Sequence, residues 1–247
     1  MIDTAWEAVA VLLAGTAAGT INTVVGSGTL VTFPTLLAVG LPPVAANVSN
    51  TVGLVPGSVS GAWGYRRELR GQLSRMRWLI PASTLGGILG AVLLLVLPSS
   101  AFKEIVPVLI GLGVVLVVLG PWIGRHVHAH EGRNHWVWPA VFGTGVYGGY
   151  FGAAQGVLLM AVFGIGVADT MQRHNALKNV LAALVNGVAA VVFIAVAHVD
   201  WRAVGLLAVG SVVGGQIGAT VGRRLPPVVL RGVIVVVGVV AIVSFVA

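Results

Sequence analysis

The sequence predicts an all-α polytopic membrane protein built of two inverted-topology repeats of about five helical segments each, with short, broken helices at its centre. Three observations carry this. The first is composition: 57% of the 247 residues are hydrophobic, 9% are charged and the mean hydropathy is +1.00, well outside the soluble globular range. The second is distribution. No charged residue or histidine lies between Ala8 and Tyr65, and further uncharged stretches run 78–102, 105–124, 136–168, 179–197, 203–222 and 232–247. At roughly 20 residues per span these accommodate about eight full crossings, or about ten with short segments counted. The third is a repeat at a spacing of 128 residues, argued below.

In chain order, a first apolar segment runs roughly from Ala5 to Val25 and closes on Gly26 and Gly28. Asp3 and Glu7 precede it without Lys or Arg, so it lacks the basic region of a signal peptide and reads as a first helix. A short segment, roughly Leu30 to Val39, ends at Leu41-Pro42-Pro43 because proline cannot continue a helix interior. A third runs roughly Val44 to Tyr65, and the arginine-rich loop 66–77 separates it from a fourth that ends at Pro98. A fifth spans roughly Ile105 to Ile123.

The pattern then restarts. A shift of 128 pairs Gly15-Thr16 with Gly143-Thr144, Gly28 with Gly156, Asn47 with Asn175 and Leu97-Pro98 with Leu225-Pro226. Its strongest match is Ser-x-x-Gly-Gly-x-x-Gly-Ala at Ser83–Ala91 and again at Ser211–Ala219. The expected division is a first repeat at 1–120, a cytoplasmic linker at 121–136 and a second repeat at 137–247, with 157–167 as the counterpart of the short segment 30–39.

An odd number of segments per repeat places the halves in opposite orientations. With the 66–77 loop cytoplasmic, every one of the 14 Lys and Arg except Lys103 and Arg202 faces inward, as the positive-inside rule requires. Both termini are then extracytoplasmic, and the location is the cytoplasmic membrane. The net charge of +7 is explained by orientation, not by a nucleic-acid partner. The partners expected are the lipid bilayer and a small anion, with a homodimer left open.

Backbone freed from helical bonding inside a bilayer is tolerated only where protein or a cavity satisfies it, so broken apolar segments point to binding sites. Gly26-Ser27-Gly28-Thr29 and its mate, which includes Gln155 and Gly156, are such breaks; backbone amides at a following helix N-terminus suit an anion, although glycines also serve close helix packing. Asn47, Asn50 and Thr51 in one half, and Asn175, Lys178 and Asn179 in the other, share helix faces just after a break. Their amides can bind an oxyanion, cap a helix or join neighbouring helices. Lys178 is the one basic residue within an apolar segment, which makes it a functional candidate or a snorkelling side chain.

No carboxylate lies mid-span, so a carboxylate proton relay is unsupported. Any coupled proton would move with the substrate or through His174. The alternating His126, His128 and His130, with His135 beyond, lack the supporting shell of a metal site, and no cofactor is expected. No nucleophile–base pair falls within the spans, which argues against an enzyme.

The run Gly26–Pro34, then Gly40–Pro43 and Ala46–Thr51, together with Tyr147–Gly156 and Asn175–Asn179, resembles the signature of the sulfite exporter TauE/SafE family. The resemblance implies a permease that exports sulfite, a sulfonate such as sulfoacetate, or another small organosulfur anion by alternating access. The alternatives are a permease for another metabolite or ion, and a membrane scaffold or assembly factor without flux.

Overall fold

The structure is a computed structural model and describes residues 2, 4–126, 134–222, 232, 235–236 and 239. Those residues form α1 (Ala5–Val24), α2 (Thr29–Ala38), α3 (Pro43–Gly64), α4 (Leu73–Val96), α5 (Ser99–His126), α6 (Val137–Tyr150), α7 (Gln155–Gly166), α8 (Met171–Val196) and α9 (Trp201–Ile217), the last extended by a π-helical turn at Gly218–Gly222. No strand occurs among them. His128, His130, Arg133, the Arg223-Arg224 pair, Arg231 and most of the final apolar segment lie outside the described residues.

Local chemistry sets the helix starts. Thr4 and Glu7 form a reciprocal capping box on α1, Thr170 caps α8, and the Asp200 carboxylate accepts from Ala203 N–H at 2.9 Å to cap α9. Pro43 opens α3, where its missing N–H costs nothing. α5 starts at Ser99, six residues before the segment expected from hydropathy, because Lys103 and Glu104 interrupt the apolar run without interrupting the helix.

Four helices are long and apolar enough to cross a membrane among the described residues: α1, α4, α8, and α9 with its π turn. The outside of the molecule is correspondingly apolar, with Val9, Leu13, Val59, Leu85, Val92 and Val191 exposed. Tryptophans mark its two ends. Exposed Trp6 and Trp201 sit at one end, where Arg202 donates to Ile2 O; exposed Trp63 and Trp136 sit at the other, beside the arginine-rich loop. That is the aromatic belt of a bilayer-embedded protein.

The 128-residue shift carries the observed packing onto itself. α3 and α8 begin at Pro43 and Met171, and α4 and α9 at Leu73 and Trp201. α1 packs on α9 as α6 does on α4, and α3 packs on α9 as α8 does on α4. Ser83 Oγ donates to Leu181 O at 3.3 Å, and its counterpart Ser211 Oγ to Gly53 O at 3.2 Å; residues 53 and 181 are themselves counterparts. Where α3 crosses α8, Asn186 Nδ2 donates to Ser58 Oγ at 3.2 Å, a bond between two equivalent positions.

The repeated glycines are contact points. A methyl on Gly214 would lie 2.0 Å from Thr16 O, and one on Gly90 2.1 Å from Val146 O, so α9 meets α1, and α4 meets α6, backbone to backbone. Small residues permit such an approach where lipid supplies no hydrophobic drive for association.

At the arginine-rich end, the 66–77 loop is tied to the turn before α8. Asp169 pairs with Arg75 at 2.7 Å and Arg173 at 2.8 Å, Arg173 donates to Arg70 O at 2.9 Å, and Gln72 Nε2 donates to Arg173 O at 3.1 Å. Burial pushes the Asp169 carboxyl up, but hydrogen bonds from Arg75, Arg173 and the Thr170 amide, with the Arg173 charge, hold it at about 2, below its ordinary 3.8. A depressed carboxylate stabilises the fold above its ordinary pKa and loses that contribution as pH falls through the folded value. Asp169→Asn is therefore expected to cost about 1 kcal/mol at neutral pH. In thermal unfolding, the gap between variant and wild type should close as pH falls from 3.8 towards about 2. A constant gap would show that the ion pairs contribute nothing.

Candidate functional site

The site is built where two helix breaks meet. α1 ends at Val24 and α2 begins at Thr29; α6 ends at Tyr150 and α7 begins at Gln155. Gly26 (φ +90°) and Ala154 (φ +61°), equivalent under the 128-residue shift, each turn the chain through the left-handed region. Glycine bears this without strain, whereas Ala154 is the one non-glycine residue to do so among the described residues. Gly156 N–H donates to Gly26 O at 3.0 Å, and the two α-carbons approach so closely that a methyl on either would lie within 2.5 Å of the other.

Each break leaves the last carbonyls of its first helix unpaired, and each is capped from the opposite half. Asn47 Nδ2, in the second turn of α3, donates to Tyr150 O at 2.9 Å. Its counterpart on α8, Asn175 Nδ2, donates to Thr23 O at 3.1 Å. Thr23 O also receives Asn179 Nδ2 at 3.2 Å and Lys178 Nζ at 3.3 Å, and Lys178 Nζ reaches Asn22 O at 3.0 Å. A cation suits a helix C-terminus, where the carbonyl ends of the peptide dipoles gather. Lys178 is wholly buried and has no carboxylate partner among the described residues.

The remaining candidates divide. Asn50 joins α3 to α2: its Nδ2 donates to Thr29 Oγ1 at 3.2 Å, and its Oδ1 accepts from Thr32. Thr51 Oγ1 turns back to Asn47 O at 2.9 Å. Gly28 N–H lies 3.5 Å from Asn22 Oδ1, and Gly156 and Val157 amides bond Gly26 O and Ala154 O, so these amides are engaged within the protein in this conformation. Ser27 and Gln155, also equivalent positions, are buried, and Ser27 Oγ and Gln155 Nε2 have no hydrogen-bond partner among the described residues.

Several participants were not picked out from sequence. Asn22, Thr23 and Tyr150 enter through main-chain carbonyls, which any residue supplies. A cluster of Phe33, Phe102, Tyr150 and Phe151, in mostly edge-to-face contacts at 5.2–6.3 Å, covers the α6–α7 break. Its counterpart positions include Ala161, Asn22 and Thr23, so the two sides of the breaks are chemically unlike. No group of three or more metal-ligating side chains occurs among the described residues.

A bundle of apolar helices with paired interior breaks and a buried lysine without a carboxylate partner among the described residues defines a polytopic membrane protein of the transporter class. The family model for the sulfite exporter TauE/SafE family matches residues 11–245, and the chain belongs to that family. It is a membrane transporter and not an enzyme. The chain is 27% identical to a "Probable membrane transporter protein ORF9" of a Sinorhizobium species, over 97% of this chain and 92% of that protein. It is 26% identical to "Probable membrane transporter protein YfcA" of Escherichia coli K12, over 89% and 82%, and 24% identical to a "Probable membrane transporter protein" of Haemophilus influenzae, over 90% and 88%. No solved structure matches the chain.

Proposed function

We propose that the protein is a secondary transporter that moves a small oxyanion, sulfite or a short organosulfonate, out across the cytoplasmic membrane by alternating access. The observation that carries this is Lys178: a fully buried lysine placed at the junction of two helix breaks, whose hydrogen-bond partners among the described residues are main-chain carbonyls. An ionisable group costs too much there to serve packing alone. Asn175 and Asn179 share the Thr23 carbonyl with it, and Ser27, Asn47 and Gln155 belong to the same two breaks, so that both halves contribute. The two halves act as inverted repeats, a reading supported by contacts that exchange under the 128-residue shift. Rocking one about the α3–α8 crossing would part Gly26 from Gly156 and open the junction to one face at a time. The arginine-rich loop is the cytoplasmic face, and the Asp169 ion pairs close that end.

The test is counterflow of radiolabelled sulfite in proteoliposomes, with sulfate, sulfoacetate, taurine and a divalent cation as competitors, for wild type and Lys178→Met. The variant is expected to lose at least about tenfold in flux, the value of one charge-assisted hydrogen bond in a dry site. Its thermal stability should change little, since relief of the buried charge's desolvation is offset by the loss of the donor to Asn22 O. Full flux in the variant would remove Lys178 from the site; absence of counterflow in folded wild type would favour a non-transporting scaffold.

A further inference from the structure

Among the buried side-chain atoms at the junction without a hydrogen-bond partner among the described residues, four form two pairs of equivalent positions, with the Tyr150 hydroxyl a further one at the α6–α7 break. One pair, Ser27 Oγ and Gln155 Nε2, can donate; the other, Asn47 Oδ1 and Asn175 Oδ1, can only accept. All four residues are at most 5% exposed. The orientation of the two asparagines is fixed by chemistry, because each turns its amide nitrogen to a carbonyl, Tyr150 O or Thr23 O, which accepts and never donates. The amide oxygens are thereby presented on the other side of each side chain. They belong to the same junction: Asn47 is bonded to the α6–α7 break that carries Gln155, Asn175 to the α1–α2 break that carries Ser27, and the breaks touch at Gly26 and Gly156.

A site built only for a bare oxyanion presents donors. Two buried amide oxygens facing such an ion would remain unpaired and would repel it, at a cost that a ligand hydrogen removes. We infer that the transported species is a monoanion that itself carries an O–H donor, such as hydrogensulfite or a hydroxyalkylsulfonate, and that this hydrogen bonds to Asn47 Oδ1 or Asn175 Oδ1 while the oxyanion faces Lys178, Ser27 and Gln155. An ammonium donor on the ligand would meet the Lys178 charge, so an uncharged hydroxyl is the fitting group. Under this reading sulfite travels with its proton, which needs no carboxylate relay in the protein. The equivalence of the two acceptors gives the O–H one partner in each half. This inference rests on the oxyanion-transport reading above and narrows its substrate.

The decisive probes are 2-hydroxyethanesulfonate and ethanesulfonate, monoanions that differ by one hydroxyl, used as competitors of labelled-sulfite counterflow by the wild-type protein. The hydroxylated anion is expected to compete at least about tenfold more strongly, the smaller end of the cost of an unpaired buried acceptor. In Asn47→Leu the difference should shrink. Equal competition by the two sulfonates in wild type that transports sulfite would overturn this inference and leave the transport reading intact. If folded wild type shows no sulfite counterflow, the transport reading fails and this inference with it.

Discussion

Replacing Asn47 and Asn175 together with leucine is expected to abolish anion flux while leaving the protein inserted in the membrane. Leucine matches asparagine in side-chain heavy-atom count and branching, so the main change is chemical. Each substitution removes a donor to a helix-terminal carbonyl of the opposite half and an amide oxygen with no partner among the described residues. The two single variants should differ. Thr23 O keeps Lys178 and Asn179 when Asn175 is lost, whereas Tyr150 O loses the Asn47 amide with no comparable set of donors beside it among the described residues. Asn47→Leu should therefore cost the more stability, on the order of 1–3 kcal/mol for a buried carbonyl left unpaired. Counterflow and thermal unfolding of both singles and the double variant check this. Normal flux in the double variant would sink the assignment of the site, and equal stability of the singles would show that Tyr150 O finds another partner.

Why some of this was legible and some was not follows from the kind of group involved. Helix ends were readable because their causes are local: the Pro42-Pro43 pair starts α3, and the glycines at 26 and 28 break α1 from α2. The 128-residue spacing was readable because the Ser-x-x-Gly-Gly-x-x-Gly-Ala cluster needs small side chains at both occurrences, and the structure shows the reason in contacts such as Gly214 on Thr16 O and Gly90 on Val146 O. Lys178 stood out because charge is rare in apolar sequence. Its partners did not, since Asn22 and Thr23 act through carbonyls that carry no residue signature. Asp169 has one local partner, Arg173 four residues on, but its other arginine, Arg75, comes from α4, and that long-range pairing leaves no local pattern. Asn50, grouped by helical spacing with Asn47, turns instead to Thr29 and Thr32. A shared face therefore does not mean a shared partner.

Gly156→Val is expected to damage the fold at the junction itself, lowering stability by about 3 kcal/mol or more. A Cβ at Gly156 would sit 2.5 Å from Gly26 Cα, 3.0 Å from Gly26 O and 3.0 Å from Lys178 Cδ. Two of these neighbours are backbone atoms, and neither chain can withdraw cheaply. Gly26 holds φ +90°, its carbonyl accepts the Gly156 amide, and both breaks are clamped by asparagines from across the junction. The reciprocal Gly26→Ala meets Gly156 Cα at 2.4 Å and adds backbone strain at a positive φ. Other glycines serve as controls. Gly143, Gly187 and Gly205 lie inside helices with nothing within 4 Å of an added methyl, so alanine there should be neutral or stabilise by up to about 1 kcal/mol. Thermal unfolding in detergent separates the two groups. If Gly156→Val unfolds with the controls, the breaks do not meet in the folded protein. If it unfolds early while the controls do not, the close approach of the two breaks is what the fold is built to hold, and any opening of the junction has to part them.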